Sequence, residues 1–115
     1  MIHNAEWIQF EDFTKIKMHA GTILTATPNP KAKKSAYILE IDFGNLGIKC
    51  SSAQITEHYL PSDLIGRQII AVLNFPPKKV AGVTSEVLVL ACVSESAGTV
   101  LLHPSMLVPN GSSIL

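Results

Sequence analysis

The 115-residue sequence predicts an all-β fold, a small barrel of short strands. Three observations carry that expectation. Apolar, β-branched residues recur in short runs bounded by Gly, Pro and Asn. Glycines interrupt the runs, with Gly21 inside the first, where a bulge or bend would turn a barrel corner. Only short stretches carry helical spacing. Hydrophobic residues make up 47% of the chain and charged residues 16%, which suits a packed domain and argues against disorder. No internal repeat, low-complexity tract or linker divides it. The expected organisation is one domain over residues 1–115: a helical segment at 1–15, a barrel at 16–102 and a C-terminal extension at 103–115.

Taken in order, residues 7–15 place Trp7, Phe10 and Phe13 at helical spacing, with Ile8 beside them. This short amphipathic helix holds three of the chain's seven aromatics. Its aromatic face packs either on its own domain or across a dimer interface. Residues 16–27 alternate apolar Ile16, Met18 and Ala20 with Lys17 and His19, a first strand. Residues 28–35 form a loop enforced by Pro28 and Pro30. That loop contains Lys31, Lys33 and Lys34, three of the nine Lys and Arg residues. It is either a solvated loop or half of a basic patch, with Lys78 and Lys79 as the other half.

Residues 37–43 form a strand with Tyr37, Leu39, Ile41 and Phe43 toward the core and Ile38 and Glu40 away from it. Gly44 to Gly47 turn the chain into a returning strand at 48–52. A helical turn capped by Ser52 is expected over 52–59, stopped by Pro61. A second turn covers 62–67. Residues 68–73 are a buried strand, ended by Pro76 and Pro77, which cannot donate to a ladder. Lys78 and Lys79 are expected on the following turn, which Gly82 closes. Ser85 and Glu86 open the next strand, through Ala91. This stiff Pro-Pro step with two lysines is either an ordinary hairpin tip or a binding loop on a rigid frame. A short strand at 100–102 ends at His103-Pro104, and a Pro109-Asn110-Gly111 turn precedes a last strand-like pair. Six or more short strands at this length fit a five-stranded Greek-key barrel of the oligonucleotide-binding (OB) type, with a short N-terminal helix and a C-terminal extension.

The same residues narrow the function classes. No apolar run approaches the roughly 20 residues of a membrane helix, and the first residues lack a signal-peptide pattern. A cytoplasmic protein without membrane insertion is expected. Formal net charge is zero, so any phosphate site must come from local clustering of lysines. Cys50 and Cys92 are read as buried small hydrophobes without a disulfide. His3, His19, His58 and His103 are scattered, which gives no metal-ligand spacing. No glycine-rich phosphate loop is present, and no cofactor is expected. Ser85 and Glu86 are adjacent on a strand and point to opposite faces. Glu40 and Asp42 share a strand face, but nothing places them in a cleft. A binding protein rather than an enzyme is the expected class.

Several motifs occur together in a fixed order: Ile41-Asp42-Phe43-Gly44, Gly47-Ile48-Lys49-Cys50-Ser51-Ser52-Ala53-Gln54-Ile55-Thr56, Asn74-Phe75-Pro76-Pro77-Lys78-Lys79-Val80-Ala81-Gly82, Ser85-Glu86-Val87-Leu88 and Val108-Pro109-Asn110-Gly111. In these the chain closely resembles the CsaA proteins, small stand-alone members of the tRNA-binding-domain family. The resemblance runs from about residue 13 to residue 113. It implies an OB-type barrel and a symmetric homodimer, with the N-terminal helix and C-terminal tail at the interface. It also implies an export-related chaperone that binds non-native polypeptides or preproteins.

Two ligand surfaces follow as expectations. The first is an apolar groove for polypeptide, with Trp7, Phe10, Phe13, Phe75, Pro76 and Pro77 as candidate peptide or dimer contacts. The second is a tRNA surface, implied by the resemblance to family members that are domains of methionyl- and phenylalanyl-tRNA synthetases and bind tRNA with the barrel face. Asn74, Ser85 and Glu86 would read base or ribose there, and Lys31, Lys33, Lys34, Lys78 and Lys79 would contact phosphates. The polypeptide role is expected to lead. Net charge is zero, and Val87-Leu88 follow Ser85-Glu86 where many tRNA binders carry Gly-Met.

Overall fold

The computed structural model describes residues 6–115. The reading of the first five residues, His3 included, lies outside them. Among the described residues, nine strands and two short α-helices make a nearly closed antiparallel barrel. Its frame is a five-stranded sheet in the order β3-β2-β1-β4-β7. These strands are β1 (Met18–Pro28), β2 (Tyr37–Asp42), β3 (Ile48–Ala53), β4 (Gln68–Val72) and β7 (Leu88–Val89). Two hairpins complete the set: β5 (Lys78–Val80) with β6 (Val83–Ser85), and β8 (Ala91–Ser94) with β9 (Gly98–Leu101).

The long strand β1 is shared between two partners. Its first half pairs with β4, from Met18 opposite Val72 to Thr22 opposite Gln68. Its second half pairs with β2, from Thr22 opposite Asp42 to Pro28 opposite Tyr37. A strand that changes neighbour midway must coil, and the register slips between Ile23 and Thr25. The expected irregularity therefore lies at Leu24, three residues beyond Gly21. Gly21 meets a different demand. A Cβ there would stand 2.6 Å from two ring carbons of Phe43, which is fully buried. The two-residue period then delivers the core. Tyr37, Leu39 and Ile41 of β2 point inward and meet Ile23, Phe43, Leu64 and Ile69.

Four local expectations are corrected. No helix covers 52–59; β3 runs on to Ala53, and Pro61 begins a helix rather than stopping one. In α2 (Pro61–Leu64) proline takes the first turn, where its fixed φ fits and its missing N–H is not needed. The Leu60 N–H donates to Asp63 Oδ2 at 3.0 Å and fixes the entry. Lys78 and Lys79 are on a strand, not a turn; the turn is Ala81-Gly82, with φ of 49° and 82°. The stretch read as one strand to Ala91 is divided into β7 and β8. Finally, Cys92 is exposed and Cys50 is half-buried, so neither is a core residue. Cys92 belongs to the β8–β9 hairpin, a two-stranded sheet separate from the five-stranded one.

The N-terminal helix α1 spans Phe10–Thr14, shorter than its aromatic pattern suggests. A side-chain amide joins it to the barrel. Asn74 Oδ1 accepts the Lys17 N–H at 2.9 Å, and Asn74 Nδ2 donates to the Lys15 carbonyl at 2.7 Å. The C-terminal tail lies on the edge of β1 that β2 leaves open. Gly111 N–H donates to the Ala20 carbonyl, Ala20 N–H to Ser112, and Ile114 N–H to Met18. Gln68 holds the tail from β4: its Oε1 accepts the Val108 N–H at 3.1 Å and its Nε2 donates to the Val108 carbonyl at 2.5 Å.

Candidate binding surface

In a five-stranded barrel of this order, the ligand loops are the β1–β2 and β4–β7 connections, beside the outer face of β2 and β3. Both connections contain the lysines singled out by sequence. The β1–β2 loop brings Lys31, Lys33 and Lys34. The β4–β7 connection is the Phe75-Pro76-Pro77 step followed by the β5–β6 hairpin.

The hairpin is fastened to the barrel by side chains. The Glu86 N–H donates to the Cys50 carbonyl at 2.8 Å, while its carboxylate accepts the Cys50 N–H at 2.9 Å. Ser85 Oγ accepts the Ser52 N–H at 3.1 Å. Ser51 Oγ donates to the Val87 carbonyl at 3.2 Å. Three consecutive residues of β3 thus meet residues 85–87 across the closing seam of the barrel, and two of them engage side chains in place of a full backbone ladder. Ser85 and Glu86, expected to read bases, are engaged in this closure. Asn74, the third expected base reader, is engaged at both ends of its amide by the α1 junction. Burial pushes the Cys50 thiol up from its ordinary value of 9.0, and the Glu86 and Glu40 carboxylates add to the shift. Cys50 thus sits beside two carboxylates, Glu40 directly opposite it on β2 and Glu86 across the seam.

A hollow of about 330 Å³ is lined by Lys31, Lys33, Lys34, Ser52, Gln54 and Val80. Both ligand loops form its walls. Among the described residues none of Lys31, Lys33, Lys34 and Lys78 makes an ion pair. A second hollow of about 450 Å³ adjoins it, with Ser52 and Val80 in common. Its other walls are Phe75, Pro76, Lys78, Ser85, Glu86, Val87 and Leu88. Phe75 is 54% exposed there. Strand alternation sends Lys78 and Val80 to one side and Lys79 to the other, so Lys78 lines the hollow and Lys79 does not. Pro77 stiffens the step without lining either hollow.

A third hollow of about 490 Å³ lies apart, between α1, the start of β1 and the tail. Phe10, Phe13, Ile16, Met18, Ile114 and Leu115 line it. Trp7, Ile8 and Phe10 are each more than 60% exposed, so this end of the molecule presents a broad apolar surface. Sequence reasoning missed Ser52, Gln54, Val80, Val87 and Leu88 as site walls. Ser52 had a signal, since alternate residues of β3 face outward. Val80 had none, because it was assigned to a turn.

The carboxylates that share a β2 face have local tasks instead of a common cleft. Glu40 accepts from Thr25 Oγ1 at 2.8 Å, and Asp42 accepts the Gly44 N–H at 2.8 Å. Among the described residues no group of three or more His, Cys, Asp or Glu is placed to hold a metal ion. Nor is any helix among them long and apolar enough to cross a membrane.

Residues 18–113, which take in the barrel, both ligand loops and the tail strand, match the family model of the tRNA binding domain. The chain belongs to the tRNA-binding-domain family. Among solved structures it is similar to the chaperone CsaA of Bacillus anthracis, with 54% identity and a TM-score of 0.90 over 95% of this chain and 99% of that one. It is also similar to the CsaA chaperone protein of Picrophilus torridus, with 44% identity and a TM-score of 0.89 over 95% of this chain and all of that one. These likenesses identify a CsaA-type member of the tRNA-binding-domain family. Curated relatives include the methionine–tRNA ligase of Porphyromonas gingivalis, 36% identical over 96% of this chain. The chain spans only 16% of that ligase's length.

Proposed function

We propose that this protein is a non-catalytic, dimeric binding module of the cytoplasm whose principal ligand is non-native polypeptide. The observation that carries the proposal is the second hollow: Phe75, Pro76, Val80, Val87 and Leu88 hold apolar surface open on a rigid frame. A half-exposed phenylalanine on a proline step can bury its ring against an apolar side chain of an extended client. The chaperone description of the two CsaA structures supports the same reading. The homodimer would form through the apolar end, where Trp7, Phe10 and Phe13 meet the tail. An exposed apolar surface of this breadth is commonly an interface.

A second reading, RNA binding, has its own observation: Lys31, Lys33 and Lys34 converge on one hollow beside Lys78. Phosphates contacted there would make binding fall with salt, by a slope of about 0.7 to 0.9 per contact.

The test is a salt titration of two ligands, unfractionated tRNA and an unfolded preprotein-like peptide. The polypeptide reading expects peptide affinity with little salt dependence, weakened about tenfold by Phe75→Ala, as for the loss of one buried aromatic contact. Peptide affinity indifferent to Phe75→Ala would sink it. Steep salt dependence of tRNA binding, lost in Lys34→Ala/Lys78→Ala, would establish the second reading. Sedimentation of Phe10→Ser against the unaltered protein tests the dimer, with a shift to monomer expected.

A further inference from the structure

The two cationic elements lie about 50 residues apart in sequence, yet they meet at one buried polar side chain. Asn29, at the head of the lysine loop, is only 7% exposed. Its backbone N–H donates to the Ala36 carbonyl at 2.9 Å and closes the loop. Its Oδ1 accepts the Lys31 N–H at 3.0 Å, a local turn that shapes the loop from within. Its Nδ2 points the other way, to the Ala81 carbonyl at 3.4 Å, on the tip of the β5–β6 hairpin.

A second contact joins the same two pieces. A Cβ built on Gly82 would stand 3.0 Å from Cδ of Lys31 and 3.5 Å from its Nζ. The stem of Lys31 therefore rests on the hairpin tip, close enough that an added methyl group would crowd it. Gly82 also has φ of 82°, which glycine tolerates best. The loop is thus both hydrogen-bonded to the tip and seated on it.

We infer that Asn29 is a positioning residue, which with Gly82 clasps the lysine loop to the hairpin and makes the two cationic elements one phosphodiester-binding site. The inference rests on the RNA reading above. A loop released from the hairpin would leave its lysines to be ordered by the ligand, each at a cost in side-chain and backbone entropy. A clasped loop presents them already placed, so more of the contact energy appears as affinity. Asn29 touches no phosphate itself in this scheme. It acts through Lys31, Lys33 and Lys34.

The experiment measures tRNA affinity across a salt series for the unaltered protein, Asn29→Ala, Lys34→Ala and the double variant. With up to four lysines engaged, the salt slope of the unaltered protein should be about 3. In Asn29→Ala it should fall by about 1 to 2, with affinity roughly tenfold weaker near 0.1 M salt. Lys34→Ala should then cost less in the Asn29→Ala background than alone, because a residue already misplaced has little to lose. A purely structural asparagine would lower the melting temperature and leave slope and coupling unchanged, and that result overturns the proposal. Should Asn29→Ala fail to fold, Gly82→Ala is measured the same way, since its methyl group crowds Lys31 and strains the turn at φ 82°. An unaltered protein that binds no tRNA at low salt overturns the RNA reading and this inference with it. Binding with an unchanged slope in the variant overturns the inference alone.

Discussion

Replacing Glu86 by alanine separates a ligand contact from a structural one. In the structure its carboxylate accepts the Cys50 N–H at 2.9 Å across the closing seam of the barrel. A hydrogen bond to a charged acceptor contributes roughly 1.5–3 kcal/mol when well shielded. Cys50 is half-buried, so water partly replaces the lost acceptor, and a loss of about 1–2 kcal/mol is expected. At 115 residues the unfolding entropy is about 240 cal/mol/K, from roughly 2.1 cal/mol/K per residue. The melting temperature should therefore fall by about 4–8 °C. Glu86→Gln keeps an acceptor oxygen and should lose about half as much. The assay is thermal unfolding by circular dichroism, paired with tRNA and peptide affinity at fixed salt. A Glu86→Ala protein with an unchanged melting temperature and weakened ligand binding would refute the seam argument. The carboxylate would then be free for ligand.

Four further outcomes follow from the packing and the two thiols. Gly21→Ala drives a methyl group into the Phe43 ring and should cost about 1–3 kcal/mol, read as a lower denaturant midpoint at unchanged slope. Gln68→Ala leaves the Val108 N–H and carbonyl without their partners, so hydrogen exchange at Val108 should accelerate while exchange in β2 stays slow. Exposed Cys92 should react with an alkylating agent at pH 8 well before Cys50, whose thiol is held above 9.0 by burial first and then by Glu86 and Glu40. A raised folded-state value means that Cys50 adds stability fully below pH about 9 and loses it as pH climbs through the higher folded value. Cys50→Ala should accordingly lose less stability than the unaltered protein as pH rises above about 9, in denaturant titrations at each pH.

Where a residue's neighbours in sequence decide its fate, the sequence was readable. Alternation placed Tyr37, Leu39 and Ile41 inward and Glu40 outward, and the barrel uses them that way. Whether the basic loop and the hairpin meet was left open by the sequence, and Lys31 lies against Gly82. Errors arose where local chemistry permits two outcomes. Pro-Pro followed by Lys-Lys suits a turn tip, yet the same lysines tolerate a short two-stranded ribbon once Ala81 and Gly82 supply the reversal. An alanine at positive φ gives no warning of that, because alanine rarely adopts it. Pro61 serves equally as a stop or as a first helical residue, and the chain before it decides which. Least legible were the tasks of Asn74 and Glu86. Their partners lie 57 and 36 residues away, and no periodicity encodes such a distance.

The tail's place on β1 bears on the order in which the protein assembles. Residues 111–114 pair with residues 18–20, about 90 positions earlier. In an unfolded chain, closing so long a loop costs roughly 4 kcal/mol of entropy beyond the constant term. Once β9 and β4 are in place, only a short connection separates Leu101 from the Gln68 latch at Val108, and the corresponding cost drops to below about 2 kcal/mol. The tail should therefore dock late, onto a barrel already formed. Until it does, the early half of β1 presents an unpaired edge next to the aromatic helix, and that interval is when self-association by strand pairing is most favoured.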